Sequence, residues 1–341
     1  MNKITTIHIG TTKTGSTSIQ SFLARNRDVL AQNSVLYSTV LGPVNHNAIP
    51  VYLQGKQANT GLQAKYDIKT EADYAAFADR LVPDLAAEIQ SADPRHIIIS
   101  SEHLHSRCYK PAHFKRLRTL LAPATRGRDL RVIVYLRPQA DHVVSLYSTM
   151  LRHGATDTVD DFISARMSGR EHAYFNFRKL LDSWSAAFPE AQIIVRKFND
   201  TKKLDHGVLT DFLTLEGLDP LIPDMQFETR QNQSMTGWSA EVLRLLNGAN
   251  PPLPPRLNRA ARQWLRHGMP AGKVRPDPQV IRKFQDSFAS ANAWVADRYL
   301  DGDRTALDPN WEAYDAPRPP AEGVSPQQLV ALLTKIAKSP Q

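Results

Sequence analysis

Ile7 to Thr17 read IHIGTTKTGST. The apolar run from Ile4 to Ile9 stops at Gly10, a turn rich in Gly, Thr and Ser follows, and Ile19, Phe22, Leu23 and Leu30 then recur on one helical face. The pattern predicts a strand, a phosphate loop and a helix. Backbone N–H groups in such a loop, together with the helix N-terminus, cradle an anion. The common nucleoside-triphosphate loop, GxxxxGK[ST], sets Lys directly before Ser or Thr. Here the order is Gly10-x-x-Lys13-x-Gly15-Ser16-Thr17, so the Lys13 ammonium meets a bound anion at another point.

A second stretch, RVIVYLRPQADHVVSLYSTML (Arg131 to Leu151), repeats the design. Val132 to Leu136 form an unbroken, β-branched-rich run, as a strand buried on both faces requires. Arg137 and Pro138 follow at once, and Val143, Val144, Tyr147, Met150 and Leu151 recur at helical spacing. An Arg therefore stands at the carboxyl end of a buried strand, where it can offer two parallel charge-assisted hydrogen bonds to a phosphate.

The two stretches together resemble the P-loop sulfotransferases that use 3′-phosphoadenosine 5′-phosphosulfate (PAPS). In that family a Lys-x-Gly-[ST]-[ST] loop holds the 5′-phosphosulfate. The resemblance gives that part to Lys13, Thr14, Gly15, Ser16, Thr17 and Ser18. A strand-end Arg and a Ser eight residues later bind the 3′-phosphate, which implies Arg137 and Ser145. YFNFRKLLDSWSAAFPEAQIIVRKF (Tyr174 to Phe198), the Arg230-x-Asn232-x-Ser234 segment and ANAWVADRYL (Ala291 to Leu300) are similar to segments of bacterial carbohydrate sulfotransferases. The RKGxxGDWK block of the cytosolic steroid and phenol enzymes has no counterpart here, and Arg230 and Ser234 are expected to supply its 3′-phosphate contacts. The resemblance implies sulfuryl transfer to a hydroxyl of a carbohydrate or glycolipid, with PAPS as donor and no metal.

The acceptor hydroxyl needs a base. Three candidates stand near strand ends: Glu102 and His103, closing IIISSEH, and His46 in VNHNAI. An extended chain would point Glu102 and His103 in opposite directions, so that one of them faces the reacting centre. His103-Leu104 lines up with the His-Leu of the cytosolic enzymes, the bacterial relatives carry Ser-Ser-Glu here, and several glycan sulfotransferases place a base in the loop that holds His46.

Apolar runs near 4–9, 35–39, 97–100, 132–136 and 193–196 alternate with helical patterns at 16–31, 71–91, 112–121, 139–152, 159–167 and 174–187. Alternation of this kind predicts right-handed crossovers and an α/β fold with a mostly parallel central sheet flanked by helices. The resemblance makes it a P-loop, nucleotide-kinase-like sulfotransferase fold. Ligands of such sheets bind beyond the strands' carboxyl ends, where Gly10, Glu102 and Arg137 all fall. From about 204 the patterns are helical (204–216, 238–247, 256–267, 277–299, 325–337) with Pro-rich breaks. The expected division is one sulfotransferase domain over 1–300, helical and acceptor-facing from about 204, with a tail and helix over 301–341 packed on it.

The chain has 341 residues, 42% of them hydrophobic, enough for one large domain or two small ones. No apolar run approaches the ~20 residues of a membrane span, and the first strand begins too early for a signal peptide. A single cysteine, Cys108, excludes an internal disulfide and a Cys-based metal cage. A cytoplasmic location is expected. Net charge is +8, with a pI of about 9.5, which favours anionic ligands. Basic residues gather at Lys115–Arg131, read as a solvated helix face, and at Arg256–Arg275, where an acceptor side is an equal reading. Neither cluster has the interleaved aromatics of a nucleic-acid surface, and no nucleic-acid partner is expected. Two other readings are a nucleotide-dependent kinase, which would want Lys beside Ser/Thr and a metal-binding Asp at a strand end, and a binding module without catalysis.

Overall fold

A computed structural model describes residues 2–55, 61–227, 235–249, 272–315 and 325–330. The fold is α/β. Five strands, β1 (Ile4–Ile9), β2 (Val35–Tyr37), β3 (His96–Ser101), β4 (Asp129–Leu136) and β5 (Gln192–Lys197), form one sheet in the order β2-β3-β1-β4-β5. Every neighbouring pair is parallel: Ile7 pairs with Ile99 on one side and Val132 on the other, and Val132 pairs with Ile193. From β1 the chain crosses to β2 on one side, whereas from β4 it crosses to β5 on the other. The carboxyl ends of β1 and β4 therefore flank a switch point, the place where such sheets open a crevice for ligands.

The chain divides into two compact units that interleave along the sequence. The first comprises Met1–Arg137, Asn176–Thr229 and Ala291–Leu307 and contains the whole sheet. One sheet face sets Ile7, Ile9, Ile97, Ile99, Val132 and Val134, all fully buried, against Leu117, Leu120, Leu121 and Trp184. The other face sets Ile98, Ile133 and Tyr135 against Phe22 and Leu23 of the helix Ser16–Arg25 and Phe212 of the helix Val208–Glu216. Apolar residues on both faces of the central strands are what the unbroken runs in the sequence require.

Local chemistry sets the helix ends. Thr70 and Asp73 form a reciprocal capping box that starts the helix Glu71–Ala92. The helix expected over 16–31 is broken into Ser16–Arg25 and Arg27–Gln32. Asn26 causes the break: its Nδ2 donates to Phe22 O at 2.9 Å and its Oδ1 accepts from Gln226 N at 2.7 Å, so the side chain competes with the backbone ladder. The expected helix over 174–187 starts later, at Phe177, because Asn176 Oδ1 accepts from Lys179 N at 3.0 Å as an N-cap.

The second unit comprises Pro138–Phe175, Arg230–Ser290 and Asp308–Gln341. Its core joins Val143, Tyr147 and Leu151 of the helix Gln139–Arg152 to Phe162, Phe175, Leu243, Ile281, Phe284 and Phe288. Asn247 Nδ2 donates to Leu151 O and Ala155 O at 2.8 and 2.7 Å, which ties the helix Gly237–Asn247 to the end of Gln139–Arg152. The expected helix over 277–299 is two, Pro278–Asp286 and Ala289–Tyr299. The expected helix over 256–267 lies outside the described residues. Among the described residues no helix is long and apolar enough to cross a membrane.

Candidate functional site

The three adjacent central strands each end one residue before a candidate: β1 before Gly10, β3 before Glu102 and β4 before Arg137. The chains meet closely at this edge. Gly10 N donates to Ser101 O at 3.2 Å. A β-carbon on Gly10 would lie 2.8 Å from Glu102 Cα and 2.8 Å from Ser16 Oγ, so only glycine lets the loop pass.

The loop from Thr11 to Ser16 is braced from inside. Thr11 and Thr14 are buried. Thr11 Oγ1 donates to Tyr135 O, Thr14 Oγ1 to Thr11 O at 2.7 Å, and Ser16 Oγ to Thr11 O at 3.1 Å. The hydroxyls of Thr14 and Ser16, two residues that the resemblance gives to the anion loop, are donated inward. Thr17 is exposed and Ser18 half-buried, in the first turn of the helix Ser16–Arg25.

Two backbone conformations make the loop a cradle. Lys13 has φ 66°, uncommon for a residue with a β-carbon, and Gly15 has φ 78°. Strain at a non-glycine residue of this kind is concentrated at functional sites. Gly15 caps the helix, no side chain bonds to that cap, and the first turn holds no acidic residue. The helix therefore presents its positive end with no acidic residue in its own first turn. A β-carbon on Gly15 would lie 2.6 Å from Val208 Cγ1 and 3.4 Å from the Phe198 ring. Phe198, the residue after β5, follows the strand-end rule that marked the other three. It lies beneath the Arg137 guanidinium, 5.7 Å from ring centroid to Cζ. Phe198, Val208 and Thr11 escaped sequence reasoning, although position alone could have found Phe198.

Arg137 Nη1 donates to Lys13 O at 3.2 Å, so the end of β4 and the phosphate loop are joined directly. Lys13 is exposed and acts electrostatically on Glu102. Burial pushes the Glu102 carboxyl above the ordinary carboxylate range, and the Lys13 ammonium opposes part of that rise. Lys13, Glu102 and Arg137 thus converge on one edge.

The three base candidates are placed differently. The chain at Glu102 is not extended as expected: Glu102 is helical (φ −66°, ψ −20°) and caps the short helix His103–Ser106. The alternation expected of an extended chain therefore ends at Ser101, where β3 stops and the helix turns at once. Burial, with Arg107 and Lys65 alongside, pushes the His103 imidazole down to about 4, so the ring is neutral at pH 7. His46 is fully buried, stacked on Tyr37 at 4.4 Å, with Nδ1 accepting from Ser100 N at 3.2 Å. Its acceptor nitrogen is thereby used to hold β3, and burial, then Arg27, push it down to about 3. Beneath it, Ser100 Oγ meets His8 Nδ1 at 2.8 Å and accepts from Gln20 Nε2 at 3.1 Å. His46, Ser100, His8 and Gln20 form a buried polar brace under the strand that delivers Glu102.

Ser145 lies half-buried on the helix Gln139–Arg152 in the second unit, and its joint reading with Arg137 rests on the resemblance alone. Arg230 and Ser234 lie outside the described residues, as do Arg256, Arg259, Arg262 and Arg266 of the second basic cluster. In the first cluster, Arg116 donates to Tyr52 O, Arg118 pairs with Glu190, and Arg128 donates to Ile4 O and Pro94 O. Those three guanidinium groups hold the fold. Cys108 is buried and its thiol is pushed up to about 12, which leaves it protonated and unreactive.

No family model and no solved structure matches the chain. It is 28% identical over 121 residues to an uncharacterized protein of Archaeoglobus fulgidus. The match covers 35% of this chain and 31% of that protein, so the chain spans under a third of that relative's length.

Proposed function

We propose that the protein is a sulfotransferase that uses PAPS as donor and a hydroxyl of a carbohydrate or glycolipid as acceptor. The observation that carries the reading is the join between the phosphate loop and Arg137: one anion cradle at a left-handed Lys13 and a helix end without a side-chain cap, with a guanidinium bonded to the same loop. A nucleotide with a phosphate at its 5′ end and another at its 3′ position fits two such anion sites. The backbone N–H groups of Gly15 to Ser18 would hold the 5′-phosphate, and Arg137 the 3′-phosphate.

When bound, PAPS supplies an activated sulfuryl group: the acceptor oxygen forms a bond to sulfur as the bond from sulfur to the 5′-phosphate oxygen breaks. Lys13, on the loop that would hold the 5′-phosphate, would stabilise the negative charge developing on that leaving oxygen. Glu102, the acid beside Lys13, takes the acceptor proton. Its raised basicity suits the task, and Lys13 opposes part of that rise. His103, neutral at pH 7, offers a hydrogen bond to the acceptor rather than a charge. His46 braces β3 from below.

The kinase reading would need an acid at a central strand end to hold a metal. β4 delivers Arg137 there, and Glu102 is engaged electrostatically by Lys13. Transfer of radiolabelled sulfur from PAPS to a panel of oligosaccharides and glycolipids tests the reading. Label should enter an acceptor with the unmodified protein, and Lys13→Ala should lower the rate by roughly 3 kcal/mol of barrier, as loss of an oxyanion donor does. Phosphoryl transfer from ATP in place of sulfuryl transfer, or a Lys13→Ala protein of undiminished rate, contradicts it.

A further inference from the structure

Resting on the reading of the loop as a cradle for a nucleotide's 5′-phosphate, we propose that Asp211 is a positioning residue for that cradle. It holds the helix Val208–Glu216 against the back of the phosphate loop, and so fixes the shape in which the loop meets its anion. It acts through Tyr135 and Val208.

Asp211 is buried, and a carboxylate so placed needs polar partners. Two adjacent strands supply them. From β4, Tyr135 Oη donates to Asp211 Oδ2 at 2.8 Å. From β5, Arg196 donates through Nε to Oδ2 at 3.1 Å and through Nη2 to Oδ1. A two-pronged guanidinium pair carries geometry as well as energy.

Both ends of this network reach the loop. Tyr135 is fully buried, and its backbone O accepts from Thr11 Oγ1 at the base of the loop. One residue of β4 thus holds the loop by its carbonyl and the helix by its side chain. Val208 lies one turn before Asp211, and its Cγ1 would stand 2.6 Å from a β-carbon on Gly15. Phe212, next to Asp211, belongs to the same apolar cluster as Phe22 and Leu23 of the helix that the loop opens. Apolar packing is non-directional. The bonds from Arg196 and Tyr135 are what give the helix one place along the sheet. Gly15, at φ 78°, turns against a wall made by Val208, and Asp211 sets where that wall stands.

The experiment is calorimetric titration of the whole protein with two ligand pairs that differ in their 5′-phosphates. They are adenosine 3′,5′-bisphosphate against adenosine 3′-phosphate, and ATP against adenosine. The affinity ratio within a pair is the gain that the loop supplies. Asp211→Asn keeps one acceptor oxygen and removes the charge and the second. It should shrink the gain ~10-fold while the ligand without a 5′-phosphate binds as before. Arg196→Met, at a half-exposed side chain, should act the same way even where Asp211→Asn folds poorly. Val208→Ala should also shrink the gain. Combined with Asp211→Asn it should cost less than the product of the two losses, since both act on one contact. A merely structural Asp211 would lower the urea midpoint and leave the gain of the folded protein as it was. That result, or losses that multiply, overturns the proposal. A gain for ATP with none for the bisphosphate overturns the sulfotransferase reading alone, and the variants are then read on the ATP pair. No gain in either pair overturns both.

Discussion

Glu102 carries the sharpest residue-scale consequence, because its environment and its proposed role pull on the same proton. Burial raises its carboxyl above the ordinary range, with Lys13 opposing. A base must be deprotonated, so activity should rise with pH through that raised value, with the acid limb above the range of an exposed carboxylate. Glu102→Gln should lower turnover by ~10² or more and leave nucleotide binding intact. A Glu102→Gln enzyme of near-full rate, with collapse in His103→Ala, would hand the role to His103. Arg137 makes a different demand. Arg137→Ala should weaken adenosine 3′,5′-bisphosphate by ~10-fold or more, and adenosine 5′-phosphosulfate, which lacks the 3′-phosphate, far less. Equal losses for the two ligands would show that Arg137 does not read the 3′-phosphate.

At the scale of elements, the phosphate loop is a backbone device, and glycine is what permits it. Gly15→Ala would force a β-carbon onto a left-handed φ of 78° and within 2.6 Å of Val208 Cγ1. Overpacking and strain together should cost about 1–3 kcal/mol of stability and displace the helix end. Bisphosphate affinity should fall further than the shift in the urea midpoint accounts for; an unchanged affinity contradicts the cradle. The loop, the sheet and the strand-end positions of Gly10, Glu102 and Arg137 were legible because an apolar run that stops at a small or charged residue marks a strand's end. The helix His103–Ser106 was not legible, since four residues carry no period. Nor was the break at Asn26, which depends on a hydrogen bond to Gln226, 200 residues away. The bracing part of His46 could not be read from VNHNAI alone: it rests on burial and on the bond from Ser100 N to His46 Nδ1.

Across the whole molecule, the buried brace under the site sets an acid limit on stability. His8 and His46 are fully buried, and burial pushes each from 6.5 to about 3. Between those values the unfolded chain binds protons that the folded chain refuses. Their contribution is therefore fully present above pH ~6.5 and is lost as pH falls toward ~3, at up to about 1.4 kcal/mol per pH unit for each histidine. His46→Asn, which keeps an acceptor for Ser100 N and removes one titrating group, should flatten the fall of unfolding free energy between pH 7 and 5; an unchanged slope contradicts this. Above that limit the fold is proposed to hold a nucleotide bearing 5′- and 3′-phosphates. The direct measurement is calorimetry of the unmodified protein at pH 7 with metal chelated, titrated with adenosine 3′,5′-bisphosphate and separately with ATP, and with ATP again after Mg²⁺ is restored. A single tight site for the bisphosphate is expected, with weak binding of ATP with or without the metal. Tight, Mg²⁺-dependent ATP binding with no response to the bisphosphate would contradict it.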